Sequence, residues 1–369
     1  MEGNRERKVI NVSSGIMGDS LDWKENFNLE VEDGIITHVG NGLVGNAYEI
    51  KGLLMPSLVN FHVHSGDYMV MEEGYQLTVK EAVGDPLSFK YKAFSREGYD
   101  VSASIRLFLR ESLRLGVKTV VDFREQGIQG SKLAKTLKGQ WVNYFILGRL
   151  EEEEFSREAL RELMKYADGY GLPSPSAKYD FRVIKDSVKL RASHFAETLS
   201  QWLKYDLESF IEDFSPSFLV HGVWLDEEEM RVLADRDVPL VMCPRSNMWF
   251  SVGIPKVDLA MDSQVKVFFG TDNGAWISPN LWKDMELALL ISRTRKPGSD
   301  YSKQILKGST TLPSSFLGIK NRVEEGTPLN MLNVVDDENS GIKISKNKYM
   351  AIIKRGGDYI LKSPELSKQ

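Results

Sequence analysis

GLLMPSLVNFHVH, residues 52–64, decides the fold. An apolar run of strand type enters at Leu53, passes Pro56 and ends in His62-Val63-His64. Side chains of a strand alternate faces, so His62 and His64 share one face while Val63 takes the other. Two imidazoles side by side at the end of a buried strand are costly unless something binds them. A divalent metal suits them, because neutral imidazole is among the commonest protein ligands of zinc and similar ions. A plain pair of core or surface histidines is the other reading of the motif. The chain has five histidines. Besides His38, the other two are His194 and His221, and both also stand where a short apolar strand gives way to a loop. His38 reads as an exposed strand residue.

Downstream of His64 one rhythm repeats. VKTVVDF (117–123), WVNYFILG (141–148), VKLRASH (188–194), SFLVHG (217–222), VPLVMCP (238–244) and VKVFFGTD (265–272) read as buried strands. Helices are predicted between them. One carries Ile105, Phe108, Leu109 and Leu113 on a single face and stops at Gly116. Another is EEEEFSREALRELMKY, whose acidic run suits a helix N-terminus. Asp226 and Glu229 form a capping pair for a third, and LWKDMELALLISRTR is a fourth. Strands apolar on both faces that alternate with helices indicate a parallel sheet covered by helices. About eight such units favour a closed (β/α)8 barrel of the TIM type over an open sheet, with the chemistry at the C-terminal ends of the strands. The segment 65–94 has weak periodicity and reads as a long lid or binding loop.

Both chain ends differ from this middle. Residues 8–50 read as short strands with a hairpin at Asp33-Gly34. TPLNMLNVVDD and NKYMAIIKR near the C-terminus also read as short strands, with turns at Asn339-Ser340-Gly341 and Gly356-Gly357. The expected organisation is a small β-sandwich domain from residues 1–51 and 319–369, and a barrel from 52–318. Apolar content of 42%, charged content of 27% and a net charge of −5 are ordinary for a soluble enzyme and give no footprint for nucleic acid. A single cysteine, Cys243, rules out an internal disulfide framework and any multi-cysteine metal site, and reads as a small buried residue. The start MEGNRERKVINVSS lacks the apolar stretch of a signal peptide, and nothing approaches a membrane span, so a cytoplasmic location is expected.

The pieces LLMPSLVNFHVH, SHFAET, FLVHG, MCPRSN and FFGTDN, in this order and spacing, resemble the amidohydrolase superfamily, in particular its mononuclear branch of nucleobase and related deaminases. The resemblance covers essentially the whole chain. It implies metal ligands at His62, His64, His194 and Asp272, with His221 near the metal-bound water and the substrate. It makes Glu197 the proton shuttle to a ring nitrogen. Binuclear relatives bridge two metals through a lysine on the fourth strand. Here Lys178 and Lys185 are candidates only by proximity, so one divalent ion is expected, with zinc ahead of iron or manganese.

The residues agree with that implication. Three imidazoles and one carboxylate leave room for a water, as in catalytic rather than structural zinc sites, and a metal lowers that water's pKa towards ~7. Asp272 can take the water's proton, Glu197 can deliver one to the substrate, and His221 can steady the developing oxyanion. Plainer roles are a strand-terminating turn for Asp272 and a first-turn helix acid for Glu197. Arg191, Arg245, Asn247, Trp249 and Trp276 lie near the expected mouth by sequence and are candidate substrate contacts. The usual glycine after the motif proline is Ser57 here, and the segment after the first strand does not match adenosine-type or guanine deaminases. The substrate is therefore given only as a nucleobase-, nucleoside- or pterin-like heterocycle, with a homo-oligomer compatible and no nucleic-acid or membrane partner. Two alternatives are a cyclic amide hydrolase of the imidazolonepropionase type, which opens a ring without releasing ammonia, and a barrel that binds metal and ligand without turnover.

Overall fold

Alternating polar and apolar residues joined by tight turns build the first sheet. The structure is a computed structural model that describes residues 7–84 and 87–361 and the backbone of 367–368. The first six residues, Asp85-Pro86 of the 65–94 segment, and the ends of the tail lie outside the described residues. β1 (Arg7–Met17), β2 (Asp22–Glu32), β3 (Ile35–Asn41) and β4 (Tyr48–Pro56) come first in the chain. Asp33 and Gly34, with φ of +50° and +80°, link β2 to β3, and Glu32 pairs with Ile35 across them. Positive φ at both central residues is what a two-residue hairpin turn of matching twist requires. β14 (Leu332–Val335), β15 (Ile360–Leu361) and β16 (Ser367–Lys368) join the same seven-stranded sheet, β14 lying antiparallel to β4. Ile10, Val12, Phe27, Leu29, Leu54, Leu332 and Val334 form its apolar cluster.

The second sheet supplies the site. Its strands are β5 (Leu58–His64), β6 (Val117–Arg124), β7 (Asn143–Gly148), β8 (Gly169–Leu172), β9 (Arg191–Phe195), β10 (Phe218–His221), β11 (Leu240–Met242), β12 (Val267–Phe269) and β13 (Asp272–Asn273). The order is β12-β11-β10-β9-β8-β7-β6-β5-β13, and the registers run parallel. This is a curled parallel α/β sheet, consistent with a TIM-type barrel. Its two end strands, β12 and β13, are separated in the chain only by Gly270-Thr271. A Cβ at Gly270 would lie 2.7 Å from the His62 carbonyl oxygen, so glycine is needed for the backbone to pass this close to β5. Phe61 fills the interior, with ring centroids 4.6 Å from Phe268 and 5.0 Å from Phe218.

The chain forms two compact units. One is Met1–Val59, Arg114–Lys118 and Ser302–Gln369; the other is Asn60–Leu113 and Thr119–Tyr301. Every candidate site residue named above falls in the second.

Three local expectations change. NKYMAIIKR is not a strand: Lys348–Arg355 is a helix capped by Asn347, whose side chain accepts from the Met350 N–H. A short apolar run fits either period, and here Ala351, Ile352 and Ile353 are buried in succession, which one face of a strand cannot do. The acidic run does not sit in the helix it precedes. Glu152–Glu154 forms a separate 3-10 turn, and the helix Arg157–Leu163 starts after its own cap, Ser156. The segment 65–94 is more ordered than a bare loop. It holds a 3-10 turn at Ser65–Val70 and helices at Val79–Val83 and Phe89–Phe94, the first with a Thr78–Glu81 capping box.

Candidate active site

Strand ends bring the histidines together. His62 and His64 close β5 on one face, His194 is next to last in β9, and His221 ends β10. Ring centroids lie 4.9 Å apart for His62–His194, 5.0 Å for His62–His64, 5.3 Å for His194–His221 and 5.6 Å for His64–His194. Asp272 begins β13, and its Oδ1 stands 3.1 Å from His62 Nε2 and 3.4 Å from His64 Nε2. One donor atom from each of His62, His64 and His194 fits within 4.8 Å, and so does one from each of His62, His221 and Asp272. His221 and Asp272 both have positive φ, +79° and +65°. For residues other than glycine this costs on the order of 1–3 kcal/mol and persists where the surroundings hold it, often at functional sites.

Hydrogen bonds fix the tautomers. His64 Nδ1 lies 2.6 Å from Glu125 Oε1, and His194 Nδ1 lies 3.2 Å from the Leu172 carbonyl oxygen. Each Nδ1–H donates away from the cluster, so each Nε2 keeps a free lone pair facing inward. The Asn247 amide contacts His221 Nδ1 at 3.0 Å. With that amide donating, Nε2 of His221 carries the proton toward the cavity. Ser246 Oγ donates to Asp272 Oδ2 at 2.6 Å. His62 Nδ1 is buried without a hydrogen-bond partner.

Burial pushes His62 and His221 down to about 4, and His194 well below its ordinary value. All three are therefore neutral near pH 7, the form that binds metal. Burial acts to raise Asp272, but the bond from His62 and the surrounding imidazoles hold it well below the usual carboxylate range. The inward Nε2 lone pairs of His64 and His194, with neutral His62 and an ionised Asp272 beside them, make a donor set that fits a borderline divalent cation. Glu197 behaves in the opposite way. Burial, then the neighbouring charge of Asp272, pushes it up to about 8. Its Oε1 lies 3.8 Å from His221 Nε2, and 18% of its side chain is exposed.

A cavity of about 640 Å³ opens over this cluster, lined by His64, His194, Glu197, His221 and Asp272 together with Lys90, Glu125, Arg149 and Tyr179. Of the five expected substrate contacts, only Asn247 reaches the cluster, through His221. Arg191 is bonded to the backbone away from the cluster. It begins β9, three residues before His194, and its guanidinium is engaged by the carbonyls of Phe214, Ser215 and Val188. Arg245 is also turned away, holding Asp284 and the Ser278 and Asn280 carbonyls. Trp276 packs 5.3 Å from Phe250 and donates to the Glu73 carbonyl at 2.8 Å, while Trp249 is exposed and outside the cavity wall. Cys243 is buried. β8 contains no lysine, and Lys185 donates to the Glu212 carbonyl. His38 is a half-exposed β3 residue 3.0 Å from Glu325.

Sequence reasoning passed over Glu125, Arg124 and Lys90. Glu125 follows the last residue of β6, the same kind of position that singled out the histidines, so strand-end logic applied to VVDFRE would have found it. No local pattern marks Lys90.

A family model described as "Amidohydrolase family" matches residues 196–351. An uncharacterized protein of Methanocaldococcus jannaschii is 30% identical over 302 residues, covering 75% of this chain and 77% of its own. The 5-methylthioadenosine/S-adenosylhomocysteine deaminase of Pyrococcus furiosus is 26% identical over 79% of this chain and 78% of its own. Among solved structures, guanine deaminase from C. acetobutylicum with bound guanine superposes with a TM-score of 0.71 at 17% identity, covering 96% of this chain and 98% of that one, a likeness of fold. The order of the motifs, the curled parallel sheet and these matches agree: the chain belongs to the amidohydrolase family.

Proposed function

We propose that this protein is a metal-dependent hydrolase that deaminates a nucleobase-, nucleoside- or pterin-like heterocycle. One observation carries the reading: beside the imidazole cluster a single cavity holds two carboxyl groups that their surroundings push in opposite directions, Glu197 up and Asp272 down. Two carboxyl groups pushed in opposite directions by their surroundings are the mark of a paired acid and base. The name of the Pyrococcus furiosus relative supports the same reaction.

His62, His64, His194 and Asp272 would hold one divalent ion, and zinc best suits three imidazoles and a carboxylate. When bound, such an ion acidifies water and withdraws electrons from the reacting centre. The residues do the rest. Water oxygen bonds to the amino-bearing ring carbon, one water proton passes to Asp272, and Glu197 protonates the adjacent ring nitrogen. His221 Nε2–H donates to the new oxygen as charge gathers there. Asp272 then returns its proton to the amino group. The C–N bond breaks, ammonia leaves, and the hydroxyl proton returns to Glu197 as the ring carbonyl forms.

The same reading takes the curled sheet as a closed (β/α)8 barrel over residues 52–318. It takes residues 1–51 and 319–369 as a small β domain of sandwich type, and the location as cytoplasmic. No helix among the described residues is long and apolar enough to cross a membrane.

A panel of purines, pyrimidines, pterins and their nucleosides, assayed for ammonia with zinc-loaded protein, tests the reaction. Ammonia release is expected from at least one compound, and Glu197→Gln should lower it by about 10²–10⁴-fold with zinc content unchanged. Ring-opened product without ammonia overturns the proposal.

A further inference from the structure

The chemistry above gives no task to Lys90, a buried cation in the cavity wall. Lys90 is 3% exposed on the helix Phe89–Phe94, pairs with Glu125, and lies 3.5 Å from Asp67 Oδ2. Burying an ammonium is costly unless close partners compensate it. Glu125 is the partner that accepts the Nδ1–H of His64 at 2.6 Å. A continuous run of charge-assisted contacts therefore leads from a helix of the 65–94 segment, through a carboxylate, to an imidazole of the cluster. Arg124 also pairs with Glu125. It is the adjacent residue of the chain, however, and cannot report where the segment lies.

The other side of the segment is tied to the residues that follow Asp272. Phe89 packs 6.1 Å from Trp276, the Glu72 N–H donates to the Ala275 carbonyl at 2.8 Å, and the Ala275 N–H donates to Asp67 Oδ1 at 3.2 Å. Val70, Ala82, Ala93, Ala275, Trp276 and Ile277 share one apolar cluster beneath it. The segment thus braces two of the proposed ligands, His64 through Lys90 and Glu125, and Asp272 through the chain that follows it.

We propose that Lys90 is a positioning residue that couples the seating of the 65–94 segment to retention of the metal. With the helix seated, Glu125 is fixed between two cations and holds His64 in the tautomer that presents Nε2. With the helix lifted, Glu125 loses one cation and His64 loses its fixed orientation. Coupling of this kind is reciprocal, so zinc must also hold the helix down. The inference rests on the ligand set proposed above, and its test needs no turnover.

Hydrogen exchange and zinc release to a colorimetric chelator read it directly. In the unmodified protein, zinc should slow amide exchange in Phe89–Phe94. Lys90→Met should release zinc about 10–100-fold faster, the usual effect of removing a partner that orients a ligand. Exchange in its helix should no longer depend on zinc. Lys90→Met combined with Glu125→Gln should release zinc no faster than Glu125→Gln alone. Lys92→Met, on the exposed side of the same helix, should match the unmodified protein. Zinc held equally long without Lys90, or helix exchange indifferent to zinc in the unmodified protein, overturns this inference alone. A chain that takes up no zinc overturns the proposed function with it. Should Lys90→Met fail to fold, the exchange measurement on the unmodified protein still decides.

Discussion

The two ends of the strands in the curled sheet treat buried polar groups differently. At the starting end, β9 opens with Arg191, whose guanidinium is engaged by backbone carbonyls, and Lys118 near the start of β6 donates to the Asn330 and Leu332 carbonyls at 2.8 and 2.6 Å. These groups spend their donors on backbone carbonyls. At the finishing end, His64 and His194 send one nitrogen outward to a fixed acceptor and keep the other facing the cavity, and His62 Nδ1 has no partner. Polar burial occurs at both ends, so burial by itself does not mark function. Unused donor and acceptor atoms that converge do mark it.

The largest test of that contrast removes the carboxylate on which the finishing end converges. Asp272→Asn takes away both the charge beside His62 and the proton acceptor, and ammonia release should fall by about 10²–10⁴-fold. Zinc affinity should fall with it, measured by competition with a chelator. Undiminished turnover would mean that the finishing end is only a satisfied polar core.

Acid should reveal the same contrast in stability. His62 and His221 titrate near 4 in the folded protein against 6.5 for an ordinary imidazole. A group whose folded value is depressed binds more protons when unfolded, so stability of the metal-free protein falls as pH drops from 6.5 towards 4. Each histidine contributes on the order of 3 kcal/mol over that window. Urea unfolding of metal-free protein at pH 7.5 and 4.5 measures the loss, and His221→Asn should flatten it. A pH-independent midpoint in the native sequence would place these rings in water.

How much of this could be read from sequence follows from what each signal depends on. The strand–helix rhythm and the finishing-end histidines were legible because strand alternation and element order are local properties. β8 was not legible: GYGL is short, carries two glycines and lacks β-branched residues, so nothing in it resembles a buried strand until β7 and β9 enclose it. The placement of Arg191 was hidden for a related reason. Its nearness to His194 in sequence suggested the mouth, yet three residues along a strand carry a side chain to the other end and the other face. Glu125 and Lys90 meet His64 only through tertiary packing, and the sequence separations of 61 and 26 hide them.

Arg191→Met tests the starting end. Its guanidinium hydrogen bonds to the carbonyls would be lost, at a cost of about 1–3 kcal/mol. Turnover at saturating substrate and KM should be unchanged, because nothing in the cavity touches it. A drop in kcat at constant stability would return Arg191 to the mouth.

The smallest effect separates position from unused atoms. Asp226 follows β10 on the finishing side, close in sequence to His221, and it is acidic like the residues that matter there. Its bonds are those of a helix cap, however: its side chain accepts the Glu229 N–H at 2.9 Å, and its own N–H donates to Glu229 Oε2 at 2.9 Å, closing a capping box on the helix Glu227–Asp235. If nearness to the mouth governed function, Asp226→Ala would impair catalysis. If unused atoms govern it, the variant loses one cap, about 1 kcal/mol by urea unfolding, and leaves zinc affinity and ammonia release as they were. Glu229 would still accept from Trp202 Nε1 at 2.8 Å, so the helix frays by a turn and does not detach.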